Sequence, residues 1–157
     1  MIQEIQYEYL AEKYIDTVWR VALGYVKRPA DADDITQNVF CALLRTRRTF
    51  QSLDHARNWL IRVTVNECRK WFRSPWRKAV PFEEYLQGLT FPSPEDRALV
   101  EAVMALPEKY RLPIYLHYYE GYSTEEIAAI LGKPKGTVCT NLSRGREQLK
   151  EQLLEER

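Results

Sequence analysis

Apolar side chains recur every three or four positions along most of this chain. Tyr7, Ala11, Tyr14, Val18, Ala22 and Tyr25 mark one face of a helix over residues 4–26. A second helix, about Ala32 to Arg45, carries Ala32, Ile35, Val39, Ala42 and Leu43 on an apolar stripe and Asp34, Gln37, Asn38 and Cys41 on a polar one. A third is expected at about Ala56–Arg73. Its WLIRVTV run (59–65) also alternates as a strand would, but no Gly or Pro interrupts residues 54–74, too long a stretch for an ordinary strand. Pro75, Pro81, Gly88, Pro92 and Pro94 then punctuate a stretch without sustained periodicity, which reads as a linker. Helices resume at about Pro94–Ala105, Pro107–Glu120, Thr124–Leu131 and Lys135–Leu153, with Pro113 delaying or kinking the second of these. There is no internal repeat and no convincing strand pattern. The expected fold is all-α: two small helical domains, residues 1–74 and 95–157, joined by a flexible linker at 75–94.

The most specific local signal is GYSTEEIAAILGKPKGTVCTNLSRGREQL. Ser123 is placed to cap a helix and Glu126 completes a capping box. Ile127, Ala128 and Leu131 face inward, and Gly132-Lys133-Pro134 makes a tight turn. Ala128, Gly132 and Val138 fall where a helix-turn-helix needs a small contact residue, a turn glycine and an apolar anchor. On the last helix Val138, Leu142, Leu149 and Leu153 form the buried stripe, and Gly145 permits close packing. Thr140, Ser143 and Arg144 then point away from it. Such a hydroxyl-and-arginine face, opened by Lys135 and Thr137, suits a DNA major groove. An ordinary helical hairpin with a polar outer face is the plainer alternative.

Composition narrows the classes further. With 157 residues, 45% of them hydrophobic and 12% aromatic, the chain can bury a core and is not a disordered tail. No apolar run approaches the roughly 20 residues that span a bilayer, and MIQEIQYEYLAEKY lacks a signal-peptide profile. Cys41, Cys68 and Cys139 are far apart and form no CxxC, which suits reduced thiols. A cytoplasmic protein without membrane insertion is expected. The net charge of +1 conceals an asymmetry. Residues 45–78 hold ten basic side chains against Asp54 and Glu67, whereas residues 79–126 hold nine acidic ones against Arg97, Lys109 and Arg111. The basic block is interleaved with Trp59, Trp71, Phe72 and Trp76, a combination of phosphate-binding cations and base-stacking rings. A solvated basic face over buried aromatics would give the same composition.

DADDITQNVF (31–40) concentrates Asp31, Asp33 and Asp34. A helix cap accounts for Asp31, and favourable first-turn charge for Asp33. A metal site lacks converging ligands, since His55 and His117 stand far off without ligand spacing. No metal or cofactor is expected. The polar stripe Asp34, Gln37, Asn38 and Cys41 therefore reads as a surface for a partner.

DADDITQNVFCALLR, NWLIRVTVNECRKWFR and ALPEKYRLPIYLHYYEGYSTEEIAAILGKPKGTVCTNLSRGREQLK together resemble bacterial RNA polymerase sigma factors of the extracytoplasmic-function (ECF) group of the sigma-70 family. The likeness covers nearly the whole chain in order. It implies that residues 1–74 are sigma region 2, which binds the β′ clamp helices of core RNA polymerase and melts the −10 element. Residues 95–157 resemble region 4, which reads the −35 element and contacts the β flap. Asp34, Gln37 and Asn38 match the family's core-binding face, with Asn38 standing where Glu is commoner. The loop Thr49–Ala56, containing His55, matches the −10 specificity loop, and Asn66 an asparagine that helps separate the strands. Arg69, Lys70 and Arg73 fall in the same melting region. The family commonly has Asp or Asn at Lys70, so a phosphate contact suits that lysine better than base reading. Lys135, Thr137, Cys139, Thr140, Ser143 and Arg144 match the −35 set, with Cys139 replacing a common Lys or Arg. Promoter DNA, core polymerase and an anti-sigma factor are the implied partners.

Two other classes compete. A repressor or activator would bind duplex promoter without polymerase and need an effector pocket or dimer interface. A nuclease would need clustered carboxylates or a histidine-based site, and none is evident beyond the aspartates already assigned. Tyr110, Tyr115, Tyr118, Tyr119 and Tyr122 suit either core packing or a partner groove.

Overall fold

The structure is a computed structural model that describes residues 4–73 and 91–155, with side chains from residue 7 to 73 and from 91 to 154. The chain divides into two compact units, Met1–Tyr85 and Leu86–Arg157. The linker expected at 75–94 lies largely outside the described residues. All regular structure among the described residues is helical.

The first unit packs α1 (Glu4–Val26), α2 (Pro29–Thr46) and α3 (Leu53–Arg73) against one another. Their apolar stripes meet in a core built on Val18, Val21, Val39, Leu43, Leu60, Ile61 and Val65. Two threonines lie inside it at no polar cost. Thr36 donates to the Ala32 carbonyl and Thr64 to the Leu60 carbonyl, each at 2.7 Å, so each hydroxyl is satisfied one turn back on its own helix.

Both α2 and α3 begin three residues earlier than periodicity suggests. Pro29 is the first residue of α2, where the missing N–H costs nothing and its fixed φ fits the helix. Asp31 is therefore not the cap. Arg28 occupies that position without a side-chain cap bond, and Asp31 lies inside the first turn, 3.9 Å from Arg28. Its carboxylate still complements the helix dipole there. Asp33 has a different partner, accepting a 2.8 Å bond from the Trp19 indole and so tying α2 to α1.

The second unit comprises α4 (Pro94–Ala105), α5 (Glu108–Ile114), α6 (Thr124–Leu131) and α7 (Lys135–Glu155), with α4, α5 and α6 all packed on α7. Ser93 caps α4, its Oγ accepting from the Asp96 N–H at 3.2 Å. Pro113 sits inside α5 and removes one donor from its ladder. The α-helix ends one residue later and continues as a π-helical turn, Tyr115–Tyr119, closed by the Glu120 N–H on the Tyr115 carbonyl at 3.2 Å. Arg111, 7% exposed, donates to the carbonyls of Leu106 at 3.0 Å and Met104 at 3.4 Å. It thereby satisfies acceptors that the end of α4 leaves open.

Candidate functional site

Three surfaces carry the predicted residues. The first is the outer face of α2. Asp34, Gln37, Asn38 and Cys41 are all exposed, whereas Ala32, Ile35, Val39 and Leu43 are buried and Ala42 is half-buried. Leu44 extends this stripe and is 57% exposed. Leu44 is in phase with the polar row, following Gln37 and Cys41 at helical spacing, so its exposure fits the helix although its apolar character does not fit the row.

The second surface runs from the loop before α3 along that helix. Leu53 already belongs to α3, so the loop is shorter than the expected Thr49–Ala56. It is held by its own side chains. The Ser52 Oγ accepts from the His55 N–H at 3.1 Å, and the Gln51 N–H donates to His55 Nδ1 at 3.2 Å. Phe50 packs edge-on against His55 at 5.3 Å and tilted against Trp59 at 5.7 Å. Farther along α3, Asn66, Arg69, Lys70 and Arg73 line one shallow groove with Val63 and Glu67, and His55 is not part of it. Asn66, Lys70 and Arg73 are exposed and Arg69 is half-buried. Lys70 donates to Glu67 Oε1 at 3.3 Å, one turn back.

The third surface is α7 with the turn before it. Ser123 and Glu126 form the full capping box, with bonds of 3.2 and 3.0 Å, and Gly132 closes α6 at φ 65°, a conformation natural to glycine. Val138, Leu142 and Gly145 are buried on the inner side of α7, joined by Asn141. A methyl group on Gly145 would meet Ile114 Cγ1 at 3.0 Å and Tyr110 Cβ at 3.3 Å, so any larger residue needs α5 to give way by a few tenths of an ångström. Lys135, Thr137, Cys139, Thr140, Ser143 and Arg144 are all exposed on the other side.

Sequence periodicity did not reveal how the basic residues of α7 are held. Lys135 donates to Glu125 at 2.6 Å, and Arg146 to the Tyr118 hydroxyl at 2.8 Å. The Tyr110 phenol lies below the ordinary tyrosine value. Burial opposes this shift, but hydrogen bonds from Arg144 and Lys109, with their positive charge, outweigh it. These partners come from α5, α6 and the π-turn, separated from α7 by irregular spacings that no local pattern encodes. The tyrosines divide by burial. Tyr110 and Tyr122 are buried, while Tyr118 and Tyr119 are exposed, Tyr119 stacking on Tyr115 at 5.2 Å.

Cys68 is buried in the first unit, and Cys41 and Cys139 are exposed on α2 and α7. Among the described residues no three His, Cys, Asp or Glu side chains converge as metal ligands would. No described helix is long and apolar enough to cross a membrane.

Comparison with known proteins assigns this architecture to a class. A Sigma-70 region 2 model matches residues 10–78 and a Sigma-70 region 4 model matches residues 96–149. The RNA polymerase sigma-E factor of Streptomyces antibioticus is 33% identical over 156 residues, covering 95% of this chain and 85% of the relative. The ECF RNA polymerase sigma factor SigW of Bacillus subtilis is 30% identical over 167 residues, covering 92% and 87%. In fold, the sigma factor RpoE of Bartonella quintana, solved with the anti-sigma factor NepR, superposes with a TM-score of 0.74 at 20% identity, covering 96% of this chain and 98% of that one. The chain belongs to the sigma-70 family of RNA polymerase sigma factors, in the ECF group. It is a transcription initiation factor that binds core RNA polymerase and directs it to promoters, and its family does not consist of catalysts.

Proposed function

We propose that residues 1–74 bind core polymerase and open the −10 element, that residues 95–157 read the −35 element, and that 75–94 link them. The observation that carries this division of labour is the two-sidedness of α7. Val138, Leu142 and Gly145 fix its inner side while Thr140, Ser143 and Arg144 are exposed on the other, Arg144 also reaching the Tyr110 phenol. Arg144 takes the base-reading role, because its fork can pair with a guanine edge, a contact worth about 1–3 kcal/mol of discrimination. The Arg144→Ala holoenzyme should lose preference at one or two −35 positions in a promoter mutation series. A uniform loss at every position would make Arg144 a backbone contact instead.

Asp34, Gln37 and Asn38 meet the β′ clamp helices, with Leu44 adding apolar area. Asn66 stabilises an unstacked base of the −10 element, and Arg69, Lys70 and Arg73 hold phosphates along the same groove. His55 acts through the shape of its loop. The Asn66→Ala holoenzyme should form closed complexes normally but open them slowly, since unstacking costs a few kcal/mol and one stabilising contact is lost. Permanganate reactivity of −10 thymines reads that step, and wild-type reactivity would remove Asn66 from it. Lys133, Lys135 and Thr137 stand at the entrance of α7, where phosphate contacts fall, and Cys139 in place of a cation reduces those contacts. An anti-sigma factor completes the partners, as NepR does for the structurally similar RpoE, and the cytoplasm, where the polymerase works, is the place of action. Run-off transcription with core polymerase, with and without this protein, tests the whole scheme.

A further inference from the structure

Lys135 opens α7, where the proposed −35 contacts begin, yet its ammonium is already engaged. It donates to Glu125 Oε1 at 2.6 Å, reaching back across the Gly132-Lys133-Pro134 turn to the first turn of α6. Both side chains are largely in water, 57% and 68% exposed. Each feels the other. The hydrogen bond and the opposite charge hold the Glu125 carboxyl below its ordinary range and raise the Lys135 ammonium above its own. Exposed ion pairs contribute little to folding, and a first-turn carboxylate complements the dipole of α6 whether or not it reaches Lys135. What the reach to Lys135 adds is a competitor for any anion that approaches the lysine. A phosphate that takes Lys135 must displace Glu125 or share the ammonium with it, and then lies beside a carboxylate.

We propose that Glu125 competes with the DNA backbone for Lys135 and so sets how much of the binding by α7 is independent of sequence. This rests on the assignment of α7 to the −35 major groove. Phosphate contacts strengthen every duplex alike, whereas base contacts discriminate among them. Restraining the lysine leaves a larger share of the binding to Thr140, Ser143 and Arg144. The restraint also changes what removal of Lys135 does. A full phosphate contact adds about 0.9 to the slope of log affinity against log salt, and with Glu125 present Lys135 supplies less than that.

The test is a two-by-two set of holoenzymes: wild type, Glu125→Gln, Lys135→Ala and the double variant. Each is titrated across salt concentrations on a promoter duplex and on the same duplex with an altered −35 element. Glu125→Gln should tighten binding to both duplexes by the same factor and steepen the salt slope by up to about 0.9. Lys135→Ala should weaken both duplexes equally, and more so when made in the Glu125→Gln background. The double variant should match Lys135→Ala alone. If Glu125→Gln changes neither affinity nor slope while Lys135→Ala lowers both, the competition is absent although the groove assignment stands. If Glu125→Gln tightens binding equally in the Lys135→Ala background, the effect is general charge and the proposal fails. If Lys135→Ala and Arg144→Ala are both silent, the groove assignment itself is wrong and the proposal goes with it.

Discussion

Asp34→Arg combined with Gln37→Ala is expected to cost several kcal/mol of affinity for core RNA polymerase while the first unit stays folded. Both side chains are exposed on α2, and the helix is held by Ala32, Ile35, Val39 and Leu43 on its opposite side. Neither substitution reaches that core. Under the proposed function a basic coiled coil lies against this face, so the new arginine would meet like charge. Reversal of a charge in a complementary interface is costly because attraction is lost and repulsion gained together. A binding titration against core enzyme measures the loss, and circular dichroism establishes that α1–α3 persist. Wild-type affinity with a normal spectrum would move the polymerase contact away from this stripe.

Arg111→Ala should destabilise the second unit by about 1.5–3 kcal/mol, the range for hydrogen bonds made by a charged group. The guanidinium is buried and donates to the Leu106 and Met104 carbonyls, which lie where α4 ends and its own ladder no longer supplies donors. Alanine leaves those acceptors buried without it and opens space between α4 and α5. The chain offers a convenient readout, because the second unit, Leu86–Arg157, contains no tryptophan. Denaturant unfolding followed by tryptophan fluorescence should be unchanged. The helical signal should gain an earlier transition from the second unit. Coincidence of both curves with wild type would show that Arg111 is dispensable.

The two domains were readable from sequence because most of their signals are local. The capping box at Ser123 and Glu126, the glycine after α6 and the buried pair Val138 and Leu142 each depend on a few neighbouring residues and are present, whereas Leu149 and Leu153, expected on the same buried stripe, are only half-buried. The starts of α2 and α3 were misplaced for a physical reason. Pro29 adds nothing to the apolar period, yet proline is well suited to the first helical position, and a helix that begins there holds Asp31 in its first turn and not at its cap. Arg111 enters the sequence only as one of three cations in an acidic stretch, since nothing adjacent to it announces that α4 will end against it. The π-turn was legible only as a disturbance at Pro113. The ties from Glu125 to Lys135 and from Tyr118 to Arg146 bridge 10 and 28 residues. They depend on how helices cross, which periodicity does not report. The outward set on α7 and the polar row on α2 were legible because exposure follows helical phase.

The distribution of sulfur gives the chain a practical property. Cys41 stands on the α2 face and Cys139 on α7, while Cys68 is sealed in the core. Thiol-specific spin labels or fluorophores therefore have one addressable site in each unit of the unaltered protein, and the third thiol stays silent. A doubly labelled sample becomes a molecular ruler without a single substitution. Because both thiols lie on the proposed contact faces, protection of Cys41 by polymerase and of Cys139 by promoter duplex reads each contact separately, and the ruler itself reads the free protein.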